Sequence, residues 1–279
     1  MRIVLAVFAA LALVGCSTGQ TVPAVPASSP VVDCAAFPEE PDLPDVLAEG
    51  IAQVRLCQEP GNELALVAPP DALVVDADAV ARAYNALEVA ELATLACPED
   101  FGPAYRLAVA YPDGTVVTLR GEQYGCSLVG NRLGSDAVLT AFGDALWAQR
   151  TTQPATPVEP PDDLCRGEAS WLVPDLADTV RGVACLPDAA GQLQQRPFSE
   201  EDWATLAADA AAHPRTPTPL PPDAVCDALA LPTLVGVAAT GEVVWVPASC
   251  AAYEWGPGRG ATHGWEPTGA ARTLLEGLV

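Results

Sequence analysis

Apolar and polar positions along this chain run through the same order of patterns twice. Residues Tyr105 to Tyr111 and Thr115 to Tyr124 are rich in aliphatic and β-branched side chains and flank Pro112-Asp113-Gly114. Residues Thr233 to Ala238 and Glu242 to Pro247 flank Ala239-Thr240-Gly241 in the same way. A glycine after a polar residue supplies the positive φ that tight hairpins need, so each pair predicts two antiparallel strands. An earlier apolar run, Ile51 to Cys57 in one half and Thr179 to Cys185 in the other, predicts a further strand ahead of each hairpin. Between run and hairpin the apolar spacing becomes helical. In the first half Val80, Tyr84, Leu87 and Leu95 share a stripe that predicts a helix capped by Asp76, with Val75 ahead of the cap, reaching about Ala96. In the second, Ser199 caps, Asp202 takes the third helical position, Phe198 faces Trp203, and Pro214 stops the helix. A short amphipathic helix closes each half, one after Ser135 (Val138, Leu139, Phe142, Leu146) and one after Thr268 (Leu274, Leu275, Leu278).

The resulting order is strand–helix–strand–strand–helix, which predicts an α+β fold made of a tandem duplication of one module. The cysteines keep the same phase. Cys34, Cys57, Cys97 and Cys126 recur as Cys165, Cys185, Cys226 and Cys250, with offsets of 131, 128, 129 and 124 residues. Leu43-Pro44-Asp45-Val46 likewise recurs as Val173-Pro174-Asp175-Leu176. Eight cysteines allow 105 pairings, and requiring both halves to pair alike, with one bridge at the open end of each hairpin, selects Cys34–Cys57, Cys97–Cys126, Cys165–Cys185 and Cys226–Cys250. Pro-rich stretches at Thr21 to Pro30 and Thr151 to Asp163 read as extended, semi-rigid spacers. The expected organisation is therefore a leader over 1–15, a tether over 16–33, a first module over 34–150, a linker over 151–163 and a second module over 164–279, with the halves folding separately.

The ninth cysteine belongs to a different pattern. Cys16 closes Leu13-Val14-Gly15-Cys16 after Met1, Arg2 and an apolar stretch from Ile3 to Val14. Twelve residues of helix span about 18 Å at 1.5 Å each, well short of the ~30 Å hydrocarbon core of a bilayer. A small residue followed by cysteine at that point resembles the lipobox of bacterial lipoproteins. The resemblance covers residues 1–16 and implies cleavage after Gly15, a diacylglycerol on the Cys16 thiol, acylation of the new amino group and attachment to the outer face of the cell membrane. An exported chain with eight further cysteines fits four disulfides.

Composition narrows the chemistry. All 13 basic residues are arginine, against 36 acids, for a formal charge of −23. Without lysine there is no Walker-type phosphate loop, no SxxK nucleophile and no Schiff base. The acid excess repels nucleic acid and anionic lipid, so membrane attachment rests on acyl chains. No CxxC, HExxH, GxSxG or calcium-loop motif is present. Asp76 and Asp78 read as a helix start, and Glu91, within the apolar stripe, as a surface acid paired with arginine. Of the two histidines, His213 reads as a helix C-cap. His263 sits in Gly256-Pro257-Gly258-Arg259-Gly260-Ala261-Thr262-His263-Gly264-Trp265, which lacks the GxGxxG spacing of a dinucleotide loop.

That loop is where the second half departs most from the first. Tyr253, Trp255, Arg259, His263 and Trp265 stand there, whereas Ser127 to Gly134 in the first half is shorter and has no aromatic residue. Aromatics and arginine anchor interfaces, so these five are the candidate binding residues. The sequence points to no cofactor, no metal and no catalytic set. The expected function is that of a membrane-anchored, non-enzymatic envelope protein binding a protein or cell-wall component. The alternatives are an envelope hydrolase using paired carboxylates, or an inhibitor or assembly chaperone.

Overall fold

The computed structural model describes residues 32, 34, 45–60, 67–91, 95–99, 102–159, 161–168, 170–217, 232–249, 252–256 and 263–278. Cys16, Cys226, Cys250, Arg259 and the Thr21–Pro30 stretch lie outside these residues, as do the expectations attached to them. The protein mixes α and β: among the described residues are four α-helices and three antiparallel sheets. No helix among them is long and apolar enough to cross a membrane.

In the first half β1 (Gln53–Gln58), β2 (Ala104–Ala110), β3 (Val116–Glu122), β4 (Leu128–Val129) and β5 (Arg132–Leu133) lie side by side in that order. Helices α1 (Asp78–Asn85) and α2 (Ser135–Thr152) cover one face. There Val80 and Tyr84 of α1 meet Val138, Phe142 and Leu146 of α2 over Leu107, Val109 and Leu119 of the sheet. The α2 apolar stripe matches its sequence pattern. α1 does not: it ends at Asn85, far short of Ala96. The Arg132 guanidinium donates to the carbonyls of Asn85 and Leu87, and the Asn85 side chain bonds both backbone groups of Leu47. The chain beyond then bonds to the β5 strand and its turn, through Ala90 N to Asn131 O and Leu133 N to Glu88 O. Tertiary partners outbid helical propensity at that point. Glu91 is exposed.

The start of α1 also differs from expectation. Asp76 has φ 53° and makes no cap; Ala77 precedes the helix, and Asp76 pairs with Arg82 at 2.8 Å. The neighbouring amides of Val74 and Val75 go instead to the Gln149 side chain, while Asp78 accepts from Gly50 and Ile51. In the second half the local rule holds. Ser199 accepts from the Asp202 amide and donates to its carboxylate, and Phe198 and Trp203 lie 5.7 Å apart.

The second half contains β6 (Thr179–Pro187) and β7 (Leu193–Pro197), then α3 (Glu200–Ala212), β8 (Pro214–Arg215), β9 (Thr233–Ala238) and β10 (Val243–Val246). It ends with β11 (Ala248–Ser249), β12 (Ala252–Trp255), β13 (His263–Trp265) and α4 (Gly269–Glu276). One sheet runs β10-β9-β6-β7 and another β11-β12-β13-β8. Trp203 of α3 lies flat on the first of these because Gly182 and Gly236 carry no Cβ; a side chain at either would collide with the indole. Its Nε1 donates to Thr179 at 3.0 Å.

The two main sheets share strand order and register. β1-β2-β3 matches β6-β9-β10, and a shift of 127 residues (Tyr111 to Ala238) carries one hairpin onto the other. Val116 faces Ala110 as Val243 faces Val237, and Cys57 faces Arg106 as Cys185 faces Thr233. Both turns close through the same two backbone bonds, Tyr111 N to Thr115 O with Gly114 N to Tyr111 O, and Ala238 N to Glu242 O with Gly241 N to Ala238 O. Gly114 has φ 90° and Gly241 φ 89°. On the sheet face away from the helices, Val32 packs on Ala108 and Ala110, and Leu164 packs on the corresponding Val235 and Val237. The proline motif keeps register less well: Val46 is 62% exposed while its sequence counterpart Leu176 is buried, and Leu47 fills the first core instead.

Three disulfides bind these parts, Cys34–Cys57, Cys97–Cys126 and Cys165–Cys185, each as the sequence symmetry selected. They close loops with sequence separations of 23, 29 and 20, each contributing roughly 3–4 kcal/mol by restricting the unfolded chain.

Candidate functional site

Three places gather the polar and aromatic side chains that chemistry or binding requires. The first is the aromatic loop. The candidate residues Tyr253 and Trp255 lie on β12, and His263 and Trp265 on β13, paired Tyr253 to Trp265 and Trp255 to His263. The rings stack across the strands at 5.2 Å and 5.3 Å. Tyr253 and Trp265 are fully buried and Trp255 is 5% exposed, all within the second core. Burial pushes the Tyr253 hydroxyl well above its ordinary pKa. This corrects the expectation that these three rings form a contact surface: they pack with residues of α3 and α4 in the second core, where burying their area is worth more than leaving it in water. Among the described candidates only His263, with its side chain 43% exposed, faces solvent, 3.9 Å from Asp175.

Asp209 of α3 ties the loop down. Its carboxylate accepts from Trp265 Nε1 at 2.8 Å, from the Thr268 amide at 2.9 Å and from the Thr268 hydroxyl at 2.6 Å, and lies 3.0 Å from His213 Nδ1. Burial alone would raise the Asp209 pKa; the bonds from Thr268 and Trp265 and the proximity of His213 outweigh it and hold the group below the usual carboxylate range. Thr, His and Asp here resemble a nucleophile set in composition only. The Thr268 hydroxyl already donates to the Asp209 carboxylate, and its oxygen is 3.4 Å from His213 Nδ1, the same nitrogen that faces the acid. The group ties β13 and Thr268, just ahead of α4, to α3, which sequence reading missed because Asp209 and Thr268 are 59 residues apart.

The second place joins the halves. Arg150, near the end of α2, reaches Asp71 and Glu242 at 2.5 Å each, and its guanidinium lies 4.6 Å from the Trp147 ring. The side chains are 7%, 18% and 2% exposed respectively. Glu242 also accepts from the Thr240 hydroxyl. Beside this joint Trp171 and Leu172 enter the first core, with Trp171 edge-on to Tyr105 at 5.1 Å, and Ser170 bonds Val243 of β10. Elsewhere Glu59 is gripped by Arg106 through 2.6 Å and 3.0 Å bonds. Among the described residues no group of three or more His, Cys, Asp or Glu is placed to hold a metal ion.

The third place is an open groove of about 510 Å³ beside the first hairpin turn. Residues 46–50 form one wall; Tyr111, Pro112, Asp113, Thr115 and Val117 form the other. Tyr111 donates its hydroxyl to Ala48 O at 3.0 Å, and Asp113 accepts from the Thr115 amide at 2.8 Å, which holds the carboxyl below its ordinary pKa. The groove thus has an apolar floor of Leu47, Val117 and the tyrosine ring, with Glu49 and Asp113 at its rim. Nothing in the sequence marked it, because its walls come from segments more than 60 residues apart.

No protein-family model matches this chain, and comparison with curated proteins and with solved structures finds none similar to it.

Proposed function

We propose that this chain is an extracytoplasmic lipoprotein held to the cell membrane through Cys16, built from two copies of one disulfide-stapled α+β module, and that it acts by binding a protein or cell-envelope component. The anchor rests on the resemblance of Leu13-Val14-Gly15-Cys16 to a lipobox. The shared strand register, the matching bridges at Cys57 and Cys185, and the paired positions of Val32 and Leu164 support the duplication.

One observation supports binding over carboxylate chemistry. Among the described residues the most shielded acids are committed to structural partners: Glu242 and Asp71 to Arg150, Glu59 to Arg106, and Asp209 to an indole, an amide and a hydroxyl. A glycosidase pair needs one acid free to donate a proton and another free to accept or attack.

The test combines fractionation with capture. Wild-type protein should incorporate radiolabelled palmitate and sediment with membranes. Cys16→Ala should remain an unprocessed precursor or leave the membrane fraction. Crosslinking in intact envelope should give a discrete adduct from the wild-type chain. A mature-length, acylated Cys16→Ala protein would refute the anchor, and turnover of a polysaccharide by the purified chain would refute the binding role.

A further inference from the structure

We infer that the linker between the halves is a docking peptide, read in polyproline II form by a protein partner whose groove is lined with parallel aromatic rings. The inference deepens the binding reading above by naming the surface and the partner's chemistry, and it does not depend on the lipid anchor. The linker sequence repeats with a period of three. Gln153-Pro154, Thr156-Pro157 and Glu159-Pro160 are each a residue followed by proline, separated by the single spacers Ala155 and Val158. A polyproline II helix has three residues per turn, so its cross-section has three edges. Proline recognition takes up the proline edge and the edge of the residue before it, and the spacer edge faces away.

Local sterics enforce that form. Each proline fixes φ at about −65° and pushes the residue ahead of it into the extended region. Of residues 154–159 only Ala155 and Val158 escape both constraints. The stretch takes neither helix nor strand, and among the described residues no peptide is cis.

The fold then turns the spacers toward the body. Ala155 is half-buried. Val158, itself 42% exposed, donates its amide to Ala239 O at 3.2 Å, and a Cβ on Gly241 would stand 3.0 Å from Val158 Cβ. Gln153, Pro154, Thr156, Pro157 and Glu159 are all exposed. The segment is held at both ends, by Gln153 N to Gln149 O at 2.8 Å and by the Val158 bond, so less chain freedom is lost on docking. Residues 151–158 carry no charge, in a chain of formal charge −23, so they enter an apolar groove without desolvating an ion. Pro214-Arg215-Thr216-Pro217 has the same proline spacing, but Pro214 and Arg215 form β8 against β13 and are not free to dock.

Photocrosslinking of the full chain in intact envelope tests this, with p-benzoylphenylalanine in place of Thr156. The probe should give one discrete adduct, and the partner peptide it joins should contain tryptophan or tyrosine. A synthetic peptide of residues 151–161, or a poly-L-proline oligomer, should reduce the adduct roughly tenfold, as for loss of interface anchors. The same peptide with Pro154→Ala and Pro157→Ala should not compete. The full chain carrying both substitutions, with unchanged near-ultraviolet circular dichroism, should lose the adduct to the same extent. An adduct that withstands both competitors, or persists in the doubly substituted chain, would overturn the inference. A carbodiimide serves as the control, since it joins this chain's many carboxylates to a partner's amines. A carbodiimide adduct from the parent chain with none from the Thr156 probe would overturn the docking peptide and leave the binding reading intact; absence of both would sink the two together.

Discussion

Replacing Arg150 with alanine tests whether the halves are bound through a buried charge. The change removes the only cation within 4.0 Å of the Glu242 carboxylate among the described residues, at a site where the glutamate side chain is 2% exposed. Asp71, at 18% exposed, regains some water, but Glu242 keeps only the Thr240 hydroxyl. Stranding one partner of a buried pair costs about 3–5 kcal/mol, even where the intact pair adds little net stability. For a chain of this size each kcal/mol moves Tm by roughly 2–4 °C, so the expected drop is roughly 6–20 °C. Urea denaturation followed by tryptophan fluorescence reads the free energy directly. Pairing Arg150→Met with Glu242→Gln should recover at least half of the loss, because no full charge then stays buried on the Glu242 side. The reasoning fails if Arg150→Ala costs under 1 kcal/mol, or if the double variant is as unstable as the single one.

Trp265→Ala should cost about 3–5 kcal/mol in the same assay, as for a core ring, whereas an exposed position would change stability by under about 0.5 kcal/mol. Asp209 has a depressed pKa in the folded protein, so the stability it gives is present above the unfolded value of about 3.9 and is lost as pH falls through the folded value. Asp209→Asn should therefore lower stability at pH 7 and flatten the decline below about pH 4, measured by urea titration at each pH. Limited proteolysis should cut first in the exposed stretch 153–157, yet the two fragments should co-elute on size exclusion, held by Arg150–Glu242 and by Trp171 and Leu172 in the first core; separate elution would show that the halves are independent.

Much of this architecture was legible because it depends on short-range chemistry. Gly114 and Gly241 specify their turns from within four residues. Ser199 and Asp202 cap α3 by themselves, and the Val138-Leu139-Phe142-Leu146 stripe has one amphipathic solution. The cysteine spacing, once read as a repeat, selected three bridges that the structure contains. What failed depended on partners remote in sequence. α1 ends early because Arg132, 47 residues beyond Asn85, takes its last carbonyls. Asp76 is no cap: it has φ 53° and its carboxylate lies on Arg82, while Gln149, 75 residues beyond Val74, takes the amides of Val74 and Val75 just ahead of it.

The aromatic loop shows the limit most clearly. Composition identified Tyr253, Trp255 and Trp265 as distinctive, and so they are, but aromatic rings serve a core and an interface by the same burial of area. Only the placement of α3, with Asp209 waiting for the Trp265 N–H, decides that these rings face inward. The groove and the Arg150 joint are likewise products of assembly, each made from segments that no local pattern connects. Sequence by itself determined β1 to β3, β6, β9 and β10, their two hairpin turns, helices α2 to α4 and three bridges. Tertiary structure decided which faces remain open to water, because that depends on what each face meets once the chain has closed on itself.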